Sequence, residues 1–177
     1  IDVSDEEIIT LAKSNDSIGI AFTYNEPSIW YEYVLDISKK TKELGLKNVL
    51  VTNGYINQEP LEEILPYIDA MNIDLKSFND FYYRHYCKGT LEPVLRTIEI
   101  AAKKTHVEIT TLLVGSENSS SEEIENLAKR IAEINKSIPL HFSRYFPAYK
   151  MKIPPTKLEI LVEAQKIARK YLDYVYI

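Results

Sequence analysis

Two charged residues, Asp74 and Lys76, stand two positions apart in the segment AMNIDLK. Side chains alternate along a strand, so both lie on one face, where a carboxylate and an ammonium group need partners. A lysine at a strand end can form a Schiff base with a carbonyl substrate, while Asp74 or Glu26 handles protons. The simplest alternative is that the two charges pair with other protein groups.

Polar residues also close three other apolar runs. These runs end in Asn25-Glu26-Pro27, in Thr52-Asn53-Gly54 and in Ser143-Arg144. In α/β barrels the site is built at the C-terminal ends of the strands, so we expect these residues to share one rim. As simpler alternatives, Glu26-Pro27 only starts a helix and Asn53-Gly54 is an ordinary turn. The candidate site residues are Asn25, Glu26, Thr52, Asn53, Asp74, Lys76 and Arg144.

The elements that carry these residues alternate along the chain. Hydrophobic periodicity predicts strands over 18–24, 48–54, 70–76, 106–114, 138–146 and 174–177. It predicts helices over 4–15, 27–44, 57–68, 90–104, 119–137 and 156–172. Strands that alternate with helices pair in parallel through right-handed crossovers, as an open doubly wound sheet or as a barrel.

The strand AMNIDLK favours the barrel. Its residues Met71, Ile73 and Leu75 point one way, and its polar residues point the other way. A doubly wound sheet buries both faces under helices, whereas a barrel wall is apolar outside and polar toward an enclosed site. The prediction is an α/β fold with a parallel, incomplete TIM-like barrel that forms a single domain over residues 1–177. The chain begins on a helix without an initiator methionine, so we expect the first strand to be missing and strand 18–24 to lie at an open edge.

Composition narrows the function classes. The 177 residues are 45% hydrophobic, and the net charge is -5 with both signs interleaved, which argues against nucleic acid as a partner. We find no apolar run near the roughly 18 residues of a membrane span and no signal peptide, so we expect no membrane association. A single cysteine, Cys87, fits a reducing, cytoplasmic compartment.

Six segments, taken in chain order, resemble the radical S-adenosylmethionine (radical SAM) superfamily. They are FTYNEPSIWYEY, KNVLVTNGYINQEPLEE, MNIDLKSFNDFYYR, LEPVLRTIE, VEITTLLV and HFSRYFPAYKM. Within that superfamily they are similar to the pyruvate formate-lyase activating enzymes, and most of all to the AmmeMemoRadiSam branch. The resemblance implies that the chain is a fragment of the radical SAM core, from the second strand of its partial barrel onward.

The resemblance also implies cofactors and partners. Members hold a four-iron four-sulfur (4Fe-4S) cluster through a CxxxCxxC loop after the first strand, and the cluster cleaves SAM reductively. The resulting 5'-deoxyadenosyl radical abstracts hydrogen from a protein or small-molecule substrate, and flavodoxin or ferredoxin supplies the electron. This sequence contains no CxxxCxxC, and Cys87 alone cannot ligate a cluster. We therefore expect the metal ligands upstream of Ile1, no metal ligand in this chain, no catalytic residue within it and no activity from it alone.

Residue roles follow from the same resemblance. YNEP stands where relatives have a Gly-Gly-Glu-Pro motif that receives the SAM ammonium group, with Asn25 in place of the second glycine and Glu26 retained. Thr52 and Asn53 match a TNG motif of the family. Asp74 and Lys76 offer both signs of charge to the SAM amino-acid moiety and its ribose.

The remaining candidate positions lie in the last strands, at the single cysteine and at the histidines. Arg144 is in a position to reach the SAM carboxylate, and Phe146 falls where some activating enzymes have a SAM-contacting histidine. Cys87 is expected to be a small buried thiol rather than a nucleophile. The three histidines lack metal-ligand spacing and are expected to be ordinary surface or hydrogen-bonded residues.

Two other classes of function are compatible with the sequence. A Schiff-base lyase of the aldolase type would use Lys76 and needs no cluster. A partner-binding module would instead expose a contiguous apolar patch.

Overall fold

The strands form one sheet in which all neighbours are parallel. A computed structural model describes residues 3–177, apart from the side chain of Asp5; residues 1 and 2 of the predicted domain lie outside the described residues. Across the sheet the strands follow the order of the sequence. They are β1 (Gly19–Phe22), β2 (Lys47–Thr52), β3 (Ala70–Asp74), β4 (His106–Leu113), β5 (Leu140–Arg144) and β6 (Val175–Tyr176).

Seven helices connect or flank these strands in the described part of the chain. They are α1 (Asp5–Ser14), α2 (Tyr31–Glu43), α3 (Gln58–Ile64), α4 (Asp80–Tyr82), α5 (Glu92–Ala101), α6 (Ser121–Asn135) and α7 (Leu158–Ala168). Local signals set their ends: Ser4 and Glu7 form a capping box at the start of α1, and the Ser120 side chain accepts from the backbone N–H of Glu123 at the start of α6. The sequence predicted all the strands and six of the helices, but it missed α4.

The sequential strand order separates a barrel wall from a doubly wound sheet. In a doubly wound sheet the order reverses at a switch point, whereas strands added in sequence through right-handed crossovers carry all their helices on one face. Burial agrees, because Met71 and Ile73 of β3 are buried while Asn72 and Asp74 are only partly covered. The prediction of a parallel, incomplete barrel is confirmed. Strand β1 lies at one edge of the sheet, as expected.

The core fills the space between the sheet and its helices. Its fully buried side chains include Ile37 of α2, Ile73 of β3, Ile98 of α5 and Ile131 of α6. Each such side chain contributes roughly 1.5–3 kcal/mol through removal of apolar surface from water. This rigid wall fixes the positions of the strand ends. Within residues 3–177, no helix combines the length and the apolar character that a bilayer crossing requires.

Asp69 ties together the N-terminal ends of β2 and β3, away from the strand ends that carry the predicted site. Its Oδ1 accepts hydrogen bonds from Lys42 Nζ at 2.9 Å and Lys47 Nζ at 3.0 Å, and its Oδ2 accepts one from Asn48 N at 3.0 Å. Partial desolvation opposes ionisation, but the hydrogen bonds from Asn48 and the two lysines outweigh it and lower the pKa of Asp69.

Asp69→Asn is expected to lower the free energy of unfolding by about 1 kcal/mol at neutral pH. Because the pKa of Asp69 is lower in the folded protein, its contribution is complete above the ordinary value of 3.8 and is lost as pH falls through the folded-state pKa. Urea denaturation at neutral pH and at a pH well below 3.8 measures the free energy of unfolding of wild type and of Asp69→Asn. We expect the difference between these two proteins to be smaller in acid. A gap that is independent of pH would contradict the assignment, and Asp36→Asn, on the exposed face of α2, serves as the control.

Candidate functional site

Glu26 joins the C-terminal ends of β1 and β2. It caps the short 3₁₀ turn at Pro27–Trp30, where its Oε1 accepts from the backbone of Ser28 at 3.2 Å. The same Oε1 accepts from Thr52 Oγ1 at 2.6 Å, and Oε2 accepts from Asn53 N at 2.7 Å. Three donors therefore converge on one half-buried carboxylate, which fixes the relative position of the two strand ends.

The turn after β2 is packed against the core. The Asn53 Oδ1 atom accepts from Tyr55 N at 2.7 Å, and Gly54 N donates to Thr52 Oγ1 at 3.1 Å. Gly54 has a φ of 71° and sits so close to Ile73 that an added Cβ would lie 2.8 Å from its Cγ2 atom. The backbone here needs glycine for its conformation and for space, so Asn53-Gly54 is more than a surface turn.

Asp74 and Lys76 form an ion pair at the end of β3. Lys76 Nζ lies 2.5 Å from Asp74 Oδ2, and the two side chains are 36% and 31% exposed. Since neither group is sealed from solvent, a ligand with charges of its own can reach both. The Lys76 backbone N–H donates to Tyr83 Oη at 3.1 Å, and burial raises the pKa of Tyr83, which keeps that hydroxyl protonated.

Lys76 shares a cleft with Glu26 and Asn53. The cleft has a volume of about 430 Å³ and lies at the C-terminal ends of β2 and β3. Larger cavities lie elsewhere in the described part of the chain: about 780 Å³ beside Asp69 and Thr105, about 810 Å³ beside β1 and about 560 Å³ along α1. None of these lies at the ends of β2 and β3. Because α/β barrels build their sites at the C-terminal ends of the strands, the smaller cleft is the candidate site. Its other lining residues are Ser28, Ile29, Tyr55, Tyr83, Cys87, Lys88, Gly89 and Val94.

The remaining predicted site residues take different positions. Thr52 is 7% exposed and engaged by Glu26, and Asp74 reaches the cleft through its pairing with Lys76. Asn25 is exposed at the end of β1 and is not among the residues that line the cleft. Arg144 is engaged at β5: its Nε donates to Thr156 O at 2.7 Å, and its guanidinium lies 4.7 Å from the Phe146 ring centroid.

Cys87 is exposed and lines the cleft, so the expectation of a buried thiol is wrong. The reason is a π turn at Tyr83–Cys87, followed by Lys88 with a φ of 59°, which turns the chain toward the cleft. Desolvation raises the pKa of Cys87, while the charge of Lys76 acts in the opposite direction. The thiol is therefore protonated near neutral pH, which does not favour a nucleophilic role.

The concave face of the sheet carries a further set of paired polar groups. Glu108 of β4 contacts His106 Nε2 at 3.1 Å and His141 Nε2 at 2.7 Å, and Thr110 Oγ1 donates to Asn72 Oδ1 at 3.0 Å. Two of the three histidines are thus hydrogen-bonded, in line with the expectation for them. Across residues 3–177 we find no group of three His, Cys, Asp or Glu side chains arranged to hold a metal ion.

Sequence reasoning missed the polar residues that hold the loop after β3. Thr111 Oγ1 donates to Leu75 O at 2.8 Å, and Asn118 Nδ2 donates to Lys76 O at 2.7 Å. Glu123 accepts from Ser77 Oγ and from the backbone of Phe78. Asn118 stands two residues before the Ser120 helix cap, but one polar residue in a loop is too common to single it out.

The fold and the cleft define a class of protein, a parallel α/β partial barrel with its polar site at the carboxyl ends of the strands. Comparison with known proteins agrees. Residues 1–131 match the family model of the radical SAM superfamily. An uncharacterized protein of Methanocaldococcus jannaschii, MJ0808, is 43% identical over 180 residues, which covers 99% of this chain and 53% of that protein.

Two activating enzymes are also similar. The pyruvate formate-lyase-activating enzyme of Clostridium pasteurianum is 29% identical over 131 residues, which covers 70% of this chain and 54% of that enzyme. The crystal structure of a domain of pyruvate-formate lyase-activating enzyme from Bacteroides vulgatus has a TM-score of 0.74 at 22% identity, and the match covers 90% of this chain and 98% of that domain.

The chain belongs to the radical SAM superfamily, because the family model matches most of its length. It spans about half the length of the curated relatives described above, 53% and 54%.

Proposed function

We propose that the cleft binds SAM as part of a radical SAM enzyme similar to the pyruvate formate-lyase activating enzymes. The observation that carries this proposal is the partly exposed Asp74–Lys76 ion pair in and beside a cleft that Glu26 and Asn53 also line. The methionyl end of SAM carries an ammonium and a carboxylate, and its ribose carries hydroxyl groups. A protein pair with both signs of charge can exchange its internal contact for contacts with such a ligand.

The rest of the lining supports the same ligand. Ile29 and Tyr55, both exposed, offer apolar and aromatic surface of the kind on which a base packs, beside the charged groups. Glu26 has a structural part in this proposal, because its oxygens hold Thr52 and Asn53 in place. Bound SAM would supply the radical that abstracts hydrogen from a protein or small-molecule substrate.

The iron-sulfur cluster, unlike SAM, is not assigned to the residues of this chain. Three thiolates at fixed spacing are needed, and the sequence contains Cys87 alone. The residues present do not fit the cluster, so we assign SAM binding to this chain and no step that the cluster performs. We expect that these 177 residues by themselves neither hold a cluster nor cleave SAM.

The proposal also includes an electron donor and a cellular compartment. The chain would serve as one radical SAM core domain over residues 1–177, with its electrons drawn from a donor such as flavodoxin or ferredoxin in the cytoplasm. Whether the substrate is a protein, as for the activating enzymes, or a small molecule is decided by groups placed beside this cleft.

Lys76→Ala is expected to weaken SAM binding by about 1 to 3 kcal/mol, which is a loss of roughly 5- to 150-fold. The reason is the loss of a charge-assisted hydrogen bond from the ammonium group. Binding to the wild-type chain is expected to be weak without the cluster, so NMR titration with SAM is the suitable measurement.

A matched control is Lys47→Ala, which also removes a lysine paired with an aspartate, Asp69, at 3.0 Å. It is expected to leave SAM affinity unchanged. The proposal would be refuted if Lys76→Ala and Lys47→Ala bound SAM equally well.

The Schiff-base alternative is not supported by a specific observation. Lysines that form Schiff bases are activated by desolvation or by a neighbouring cation, whereas Lys76 is 36% exposed and paired with a carboxylate. Borohydride trapping with an aldehyde is the discriminating test, and we expect it to leave Lys76 unmodified.

A further inference from the structure

The backbone of Lys76 is held by side chains and not by the sheet. The pairing of β3 with β4 ends at Asp74 and Thr110, two residues before Lys76. Beyond that point the Lys76 N–H donates to Tyr83 Oη at 3.1 Å, and its carbonyl accepts from Asn118 Nδ2 at 2.7 Å. The position of the ammonium group in the cleft therefore depends on residues outside the strand.

Asn118 uses every hydrogen-bonding group of its amide. The side chain is 1% exposed, Nδ2 donates to Lys76 O at 2.7 Å and to Leu112 O at 2.8 Å, and Oδ1 accepts from Val114 N at 2.7 Å. Both donors and the acceptor are thus satisfied. One planar amide connects the end of β4 to the loop that carries Lys76.

We propose that Asn118 is a positioning residue for Lys76, which sets the place of the Lys76 ammonium in the cleft. The inference rests on the proposed function for the identity of the ligand. Positioning matters because a shift of about 1 Å in a charged group is enough to lose much of its interaction with a bound ligand. Asn118 does not line the cleft, so it acts through Lys76.

The neighbouring contacts keep the loop attached when Asn118 is changed. Thr111 Oγ1 donates to Leu75 O at 2.8 Å, and Glu123 accepts from Ser77 and Phe78 on the other side. The expected consequence of losing Asn118 is a local displacement of Lys76, and the rest of the loop stays in place.

The test compares Asn118→Ala with Asn48→Ala. Asn48 is a matched control because it is 0% exposed and its amide also makes three hydrogen bonds, to Thr41, Ser38 and Tyr67, at the opposite end of β2. Both variants are expected to lose similar stability. In NMR titrations with SAM, Asn118→Ala is expected to bind about 5- to 30-fold more weakly than wild type, and Asn48→Ala within about two-fold of it. Equal affinities of the two variants would overturn the proposal.

A double variant separates an action through Lys76 from an independent one. If Asn118 only positions Lys76, the protein with both Asn118→Ala and Lys76→Ala binds SAM as weakly as Lys76→Ala alone. If the fold-loss in SAM affinity of the double variant equalled the product of the two single losses, the two residues would act independently and the proposal would be overturned. Should Asn118→Ala fail to fold, Asn118→Ser takes its place, because its small hydroxyl adds no charge to this buried site and is too short to bond Val114 N, Lys76 O and Leu112 O together.

Hydrogen exchange of the Lys76 amide distinguishes this inference from the proposed function. Failure of SAM to bind wild type, or no effect of Lys76→Ala, would refute SAM binding in the cleft. The role of Asn118 is then decided by the exchange rate of the Lys76 N–H. We expect it to be about ten-fold faster in Asn118→Ala than in Asn48→Ala; equal rates would refute the positioning role.

Discussion

Gly54→Ala is expected to lower the free energy of unfolding by about 2 to 5 kcal/mol. Two effects add. Gly54 has a φ of 71°, a conformation that costs a residue with a Cβ about 1–2 kcal/mol. The new Cβ would also lie 2.8 Å from Ile73 Cγ2 and 3.3 Å from Val94 Cγ1, and relief of such overpacking costs about 1–3 kcal/mol. Urea denaturation measures the sum.

Gly45→Ala isolates the backbone part of that loss. Gly45 has a φ of 74°, but nothing lies within 4 Å of a Cβ built on it. The Gly45→Ala variant should therefore lose only about 1–2 kcal/mol of its free energy of unfolding. If the two variants lost equal free energy of unfolding, Ile73 and Val94 would have moved aside without cost, and Gly54 would not be needed for space at this turn. Because Val94 also lines the cleft, Gly54→Ala is further expected to weaken SAM binding.

The wall of the barrel was predictable because its signals are local. Alternation in AMNIDLK and the polar strand ends depend only on neighbouring residues, and a sheet built in sequence order needs no long-range information beyond right-handed crossovers. The ends of the strands were less predictable. Strand β3 was predicted to reach Lys76, but pairing stops at Asp74, because Leu75 N turns back to Ile73 O and Leu75 O is taken by Thr111.

The candidate site was predictable in its residue types but not in its geometry. Glu26, Asn53 and Lys76 meet in one cleft, since parallel strands bring their carboxyl ends together. Arg144 follows the same rule, yet its Nε donates to the carbonyl of Thr156. The sequence placed Thr156 at the start of a helix, whereas in the structure it lies in the loop before α7. The exposure of Cys87 depends on a π turn, for which the sequence offers no periodic signal.

Glu26 illustrates how one residue can carry both a structural and a functional prediction. The resemblance implies a SAM-binding motif at YNEP. The structure gives the carboxylate three hydrogen bonds, of which the two from Thr52 and Asn53 join β1 to β2. A group so fully engaged has little capacity left for a ligand. We therefore expect its effect on SAM to come through the placement of Asn53.

Glu26→Ala is expected to lower the free energy of unfolding by about 2 to 4 kcal/mol, which corresponds to a fall in melting temperature of roughly 4 to 16 °C. The Thr52 hydroxyl and the backbone N–H groups of Ser28 and Asn53 lose a charged acceptor together. Thr52 is 7% exposed, so water replaces the carboxylate poorly there. Thermal and urea denaturation measure the loss.

Two variants show whether the hydrogen bonds are the cause. Glu26→Gln keeps one acceptor oxygen and the shape of the side chain, so its loss of stability should be intermediate. Glu32→Ala removes an exposed glutamate from the first turn of α2 and should change stability by less than about 0.5 kcal/mol. SAM affinity should fall in the order wild type, Glu26→Gln, Glu26→Ala, because the Asn53 backbone is progressively released. A Glu26→Ala protein as stable as Glu32→Ala would mean that the two strand ends are held by something other than this carboxylate.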